Sequence, residues 1–203
     1  MYIFCDGNST AYSYFGYTSR MNKNQIYVAL LRGINVGGKN IVIMPRLLDI
    51  FERLGFDYVQ TQGNSGNVLF LAPEQDQRAM QSRIEKALEA ELGFEVMVIV
   101  RSKDEIGEIL QMKPESWVHP EDKKCNILFL RHGIDKPSVV NGLQPKDGIE
   151  ELHYHKGVLY WSALLSELTK SNMIHLSKEE IYQEMTARNL STVQRIWEMM
   201  NVA

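Results

Sequence analysis

The loop Gly33-Ile34-Asn35-Val36-Gly37-Gly38-Lys39-Asn40 concentrates the groups best suited to chemistry. It follows the G-x-x-x-x-G-K pattern of a phosphate-binding P-loop until its last position. There Asn40 stands where a P-loop carries the Ser or Thr that holds Mg²⁺. A P-loop also runs straight into a helix whose N-terminus faces the phosphates. Here Ile41, Val42 and Ile43 intervene, and Pro45 disfavours helix at Met44. No later strand ends in an aspartate of the Walker-B kind; the stretch 95–100 runs into Arg101. These missing contexts argue against nucleotide hydrolysis. A simpler chemistry remains. Glycines let backbone N–H groups converge on an anion as a nest, and Arg32 and Lys39 flank them. From Met21 to Leu48 the charges are Lys23, Arg32, Lys39 and Arg46 with no acid, a +4 segment in a chain of net charge −3. The alternative is an ordinary β–α loop with solvated charges.

Other residues could line the same pocket. The turn Gly63-Asn64-Ser65-Gly66-Asn67 invites comparison with a nucleophile elbow, but such an elbow joins a strand to a helix. This serine lies between two predicted strands, so a hairpin turn explains it, with Ser65 and Asn67 free to donate hydrogen bonds. Arg188 and Asn189 are expected between two helices, just before a cap at Ser191 or Thr192. They serve either in capping and packing or as an arginine fork aimed at a carboxylate or phosphate. Glu151, His153 and His155 share one strand face, a possible zinc set, but no second ligand pair stands at suitable spacing. No metal or cofactor is therefore expected. His119, His132 and His175 are isolated. An RNA-recognition sheet would carry stacking aromatics, and the corresponding strand offers only Phe70. The expected site is Arg32, Asn35, Gly37, Gly38, Lys39, Ser65, Asn67, Arg188 and Asn189. It would take a small anionic ligand or a nucleic-acid backbone, by electrostatic stabilisation, and no general base stands out. The competing reading is a non-enzymatic interaction module or homo-oligomer, with exposed sheet edges as its docking surface.

Those residues need a scaffold. The 203 residues are 44% hydrophobic and 23% charged, as in globular proteins, which excludes a disordered chain. Net charge −3 argues against a polycation wrapped on nucleic acid, and no 18-residue apolar run spans a membrane. Two cysteines give no disulfide framework, which points to the cytoplasm. Residues 1–20 lack a secretory pattern and read as a non-native or flexible extension, with Met21 as the expected start. The stretch 25–32 reads as a central strand, apolar on both faces. Helical spacing follows Pro45 and closes at Gly55. Short strands are expected at 58–61 and 67–71, a helix from Pro73 and Glu74 to Gly93, and a strand at 95–100. The order βαββαβ is that of a ferredoxin-like plait over residues 21–112. Ser102 to Glu105 is a capping box. Residues 113–203 are expected to form a second α+β plait-like subdomain. It starts in a linker at 114–124, with a strand at 126–131 and a hairpin across His155-Lys156-Gly157. Ser177 to Glu180 is expected to cap a helix carrying Ile181, Tyr182 and Met185, and a last helix carries Val193, Ile196, Trp197 and Met200.

The stretch Tyr27-Val28-Ala29-Leu30-Leu31-Arg32-Gly33-Ile34-Asn35-Val36-Gly37-Gly38-Lys39-Asn40 closely resembles the opening of a bacterial family, domain of unknown function 1697. Ser65-Gly66-Asn67-Val68-Leu69-Phe70 is similar to its second signature. Thr186-Ala187-Arg188-Asn189 with Ser191-Thr192-Val193 is similar to its third. The chain departs from the family pattern at Gln62-Gly63-Asn64 and at Leu190, where a tryptophan is common. The resemblance implies an α+β fold of two plait-like subdomains and brings no activity with it.

Overall fold

The computed structural model describes residues 24–117 and 120–202. The expected extension at 1–20 and start at Met21, and His119, lie outside the described residues. The first half runs β1 (Asn24–Leu31), α1 (Met44–Arg53), β2 (Asp57–Gln62), β3 (Asn67–Pro73), α2 (Gln77–Leu92), β4 (Val98–Ser102) and α3 (Lys103–Gln111). The second runs β5 (Lys123–Leu130), β6 (Glu150–His155), β7 (Val158–Leu164), β8 (Met185–Asn189) and α4 (Leu190–Val202), with short 3₁₀ segments between strands. The molecule is α+β, with two four-stranded sheets in the orders β2-β3-β1-β4 and β6-β7-β5-β8. Every pairing is antiparallel.

Local chemistry sets the element ends. Pro45 stands in the first turn of α1, where no backbone N–H is needed. The α2 helix starts later than the sequence implies: Pro73 closes β3, and Asp76 accepts from Arg78 N as the cap. Its end is Gly93 in the left-handed conformation, a backbone that costs glycine nothing. The capping box at Ser102 and Glu105 is formed from both sides.

The expected helix after Ser177 does not form. Asn172–Lys178 and Glu180–Glu184 are 3₁₀ turns broken by the extended Glu179. Met185 then pairs with Leu130, starting β8. Arg188 and Asn189 therefore sit on a strand rather than between two helices. Sheet pairing outweighs the local capping signal.

Three apolar layers hold the two sheets. Tyr27, Ala29 and Leu31 of β1 pack on α1 and α2 through Leu47, Phe51, Ile84 and Leu88. The opposite face of β1, Ile26, Val28 and Leu30, shares one cluster with Cys125, Ile127 and Phe129 of β5. That cluster also holds Ile106 and Ile109 of α3 and Val193, Ile196 and Met200 of α4. β1 is thus buried on both faces, as its sequence predicts. Each such aliphatic side chain contributes about 1.5–3 kcal/mol on leaving water. The outer face of the second sheet packs Leu128, Leu130, Leu159 and Trp161 under the 3₁₀ segments.

The halves match in register as well as in strand order. Leu31 N donates to Gly66 O at 2.8 Å, and Leu130 N donates to Gly157 O at 2.9 Å. Val28 lies opposite Arg101, and Ile127 lies opposite Arg188.

Candidate functional site

The glycine-rich loop leaves the end of β1 and is closed by its own asparagines. Asn35 and Asn40 both adopt positive φ, 55° and 51°, which asparagine tolerates better than most residues. The Asn35 side chain donates to Val42 O at 3.0 Å and accepts from Val42 N at 2.8 Å. Its amide also donates to Asn64 O at 2.9 Å, tying the loop to the β2–β3 turn. Asn40 donates to Gly33 O at 3.0 Å. The loop is braced at its base, and Gly37 and Gly38 at its tip face open space.

Arg188 reaches the same turn from β8. Its Nη2 donates to Leu31 O at 2.8 Å and Ser65 O at 3.0 Å, with Gly66 O at 3.4 Å. Its Nη1 donates to Thr186 Oγ1 and Ala187 O, each at 2.8 Å, and its Nε donates to Asn67 Oδ1. Asn67 is oriented by donating 2.9 Å bonds to Gln62 O and Oε1. An arginine offers five N–H donors, and here each of its nitrogens has a protein acceptor. Arg188 is 7% exposed, and among the described residues no carboxylate pairs with it. Burial pulls its pKa down to about 10, so it stays charged at neutral pH.

Arg32 turns to the second half. Its Nη1 donates to Tyr182 O at 2.7 Å and Met185 O at 3.1 Å, its Nη2 to Gln183 Oε1 at 3.0 Å. Its guanidinium lies 4.6 Å from the Tyr182 ring centre. Asn189 caps α4, its Oδ1 accepting from Thr192 N at 2.8 Å. Arg46 donates to Glu91 O. Lys39 is exposed, and no described residue pairs with its ammonium.

The expected residues therefore divide. Arg32, Asn35, Ser65, Asn67 and Arg188 meet around the end of β1 and the β2–β3 turn. Gly37, Gly38 and Lys39 stand on the loop tip above them, and Asn189 serves the neighbouring helix. The sequence missed the apolar part of this loop: Val36, Ile41 and Ile43 are 67%, 66% and 64% exposed. Val36 stands beside glycines, and Ile41 and Ile43 flank the buried Val42 in an apolar run too short to mark which side faces water. The sequence also passed over Arg101, a charge that follows three apolar residues in β4 and is itself 3% exposed. The three candidate zinc ligands all lie on β6 and line one open cavity, but two of them have other partners. Glu151 accepts from Ser116 and Lys123, and His155 faces Glu108. Among the described residues no group of three His, Cys, Asp or Glu side chains is placed to hold a metal ion. No helix among them is long and apolar enough to cross a membrane.

Two antiparallel four-stranded sheets, with an asparagine-braced loop on a buried arginine, define the class of protein. The family model described as "protein of unknown function (DUF1697)" matches residues 25–160, and the chain belongs to that family. The matched range holds the first two motifs of the resemblance read from the sequence, and the third, at 186–193, lies beyond it. A solved structure, that of the conserved bacterial protein SP0830 from Streptococcus pneumoniae, is similar with a TM-score of 0.76 and 28% identity. The match covers 87% of this chain and 99% of that one. No curated protein matches.

Proposed function

We propose that the chain binds an anionic group, phosphate or carboxylate, at the tip of the loop 33–43. The contacts are the Gly37 and Gly38 amides and the Lys39 ammonium, with the Ser65 hydroxyl on the adjacent turn. Arg188, Asn67, Asn35 and Arg32 hold the frame beneath them, and Asn189 fixes the neighbouring helix. The observation that supports this most is the contrast within one loop: the Asn35 and Asn40 side chains brace its base, while among the described residues no hydrogen-bond partner takes the Lys39 ammonium or the Gly37 and Gly38 amides. The setting proposed is cytoplasmic. The fold is read as two ferredoxin-like plaits, supported by the matching strand orders, with the division between them near residue 112.

A thermal-shift series with inorganic phosphate, a nucleoside phosphate and a single-stranded oligonucleotide tests the site. A ligand at 100 times its Kd stabilises the fold by about 2.7 kcal/mol, so Tm rises. Lys39→Ala should abolish that rise and leave the ligand-free Tm unchanged. A Tm rise that survives Lys39→Ala overturns the assignment. The exposed Val36, Ile41 and Ile43 favour a second reading, a protein-docking loop. That reading requires no ligand shift, with a concentration-dependent mass in light scattering that Ile41→Ser removes.

A further inference from the structure

The strand register equates the two halves. Arg101 bonds Leu130 O at 2.7 Å and Gly157 O at 3.2 Å, as Arg188 bonds Leu31 O and Gly66 O. Leu130 thus stands for Leu31, Leu128 for Ala29 and Asn126 for Tyr27. In the first half that face of the sheet lies under α1 and α2, and Tyr27 and Ala29 are buried in the cluster they share with those helices. In the second half 3₁₀ segments replace the helices and fill the same face less completely. A cavity of about 250 Å³ remains between β5, β8 and the segments 172–178 and 180–184.

Its floor is apolar, made by Leu128 of β5, Ala187 of β8 and Leu176 of the covering turn, and both leucines are buried. Three polar side chains also line it, each with an open group. Lys124 is two residues before Asn126, on the same face of β5. It is exposed at the rim, and no described residue pairs with its ammonium. Asn126 Nδ2 donates at 3.1 Å to Met173 Sδ, a weak acceptor, and its Oδ1 has no partner among the described residues. The Tyr182 hydroxyl has no hydrogen-bond partner among them either. The Tyr182 ring is placed from the first half, by the Arg32 guanidinium that stacks on it and bonds its carbonyl.

Among the described residues no carboxylate lines this cavity. Glu150, which accepts from Met173 N, has donors on both oxygens. In the covering segments Glu167 pairs with Lys170, Glu184 faces Arg131 at 3.8 Å, and Glu179 and Glu180 are exposed outside the lining. The charge of the lining is therefore that of Lys124 alone.

We propose that this cavity binds a small amphipathic carboxylate, an organic acid with an apolar body. The carboxylate meets the Lys124 ammonium at the rim and accepts from the Asn126 amide and the Tyr182 hydroxyl. The body lies on Leu128, Leu176 and Ala187. An apolar floor with a few placed polar groups is the general form of a small-molecule site. The volume equals that of about eight water molecules, which suits a short acid rather than a cofactor. Inorganic phosphate fits poorly, because the floor offers its remaining oxygens no donors. The site lies on the outer face of the second sheet and does not rest on the role of the glycine loop.

Amide NMR of the full chain, titrated with hexanoate against chloride at equal ionic strength, tests the proposal. The Ala187 and Leu176 amides should shift saturably. Acetate lacks the body and hexanol lacks the charge, so each should bind at least tenfold more weakly. Lys124→Met keeps the apolar stem and should weaken hexanoate about tenfold, equivalent to 1.4 kcal/mol, while leaving hexanol unchanged. Ala187→Leu fills the floor and should abolish binding. Lys39→Ala should leave the titration as it is; a loss there would assign the shifts to the loop and overturn the proposal. So would amides that hexanoate does not shift, equal saturation by acetate, phosphate or hexanol, or an unchanged titration in Lys124→Met. Circular dichroism checks that Ala187→Leu folds. If it does not, Lys124→Met decides.

Discussion

Arg188 illustrates how little a residue type says about its use. The motif around it is legible, and an arginine beside an asparagine fits a phosphate as well as it fits carbonyls. What separates the two is burial, and burial follows from β8, a strand the sequence does not announce. Arg188→Ala leaves the Leu31 and Ser65 carbonyls short of a donor at the sheet end, while Gly66 O keeps Leu31 N. We expect a loss of about 3 kcal/mol, read as a lower urea midpoint. Glu150 provides a pH test at the same scale. Burial raises its pKa, but donors from Ser171, Lys146 N and Met173 N outweigh it, and the carboxyl titrates below its ordinary value. A depressed carboxyl stabilises the fold above the unfolded pKa of about 4.3, and that support is lost as pH falls through the folded value. Glu150→Gln should therefore lower Tm at neutral pH, and the gap to the parent should narrow in acid.

The elements of the first half could be read in advance because each carries its own signal. β1 is apolar on both faces, α1 has Pro45, and α2 ends on Gly93. The second half replaces its long helices with 3₁₀ turns whose signals are two or three residues long. The pattern Ser177-Lys178-Glu179-Glu180 satisfies a capping rule, yet Glu179 is extended because the chain must reach Leu130 to pair. The β2–β3 turn depends on backbone geometry rather than on a side chain. Gly66 has φ +72°, and a Cβ there would meet Leu31 Cβ at 2.7 Å. Gly66→Ala combines left-handed strain with a clash at the end of β1, and should cost about 1–3 kcal/mol. Gly63→Ala meets no neighbour and serves as the control, carrying the backbone strain alone.

At the scale of the molecule, the halves are joined by more than a linker. β1 and β5 share one apolar cluster with α3 and α4, and each half lends an arginine to the other's turn. Calorimetric and van't Hoff enthalpies should therefore agree, one transition for both sheets. Two separate transitions would mean the shared cluster does not couple them. The equivalence of the halves was not legible in the sequence. It resides in strand register and carbonyl contacts, which leave no residue pattern when Asn67 and Thr186 stand at the register positions that Val158 and Ile99 hold in the other half.

Cys125 sits within that shared cluster, 6% exposed, and burial pushes its thiol up to about 11. Alkylating reagents attack the thiolate, so the folded protein protects this sulfur twice, by enclosure and by protonation. In a Cys5→Ser background, the speed at which iodoacetamide consumes the remaining sulfhydryl becomes a stopwatch for how often the sheets part.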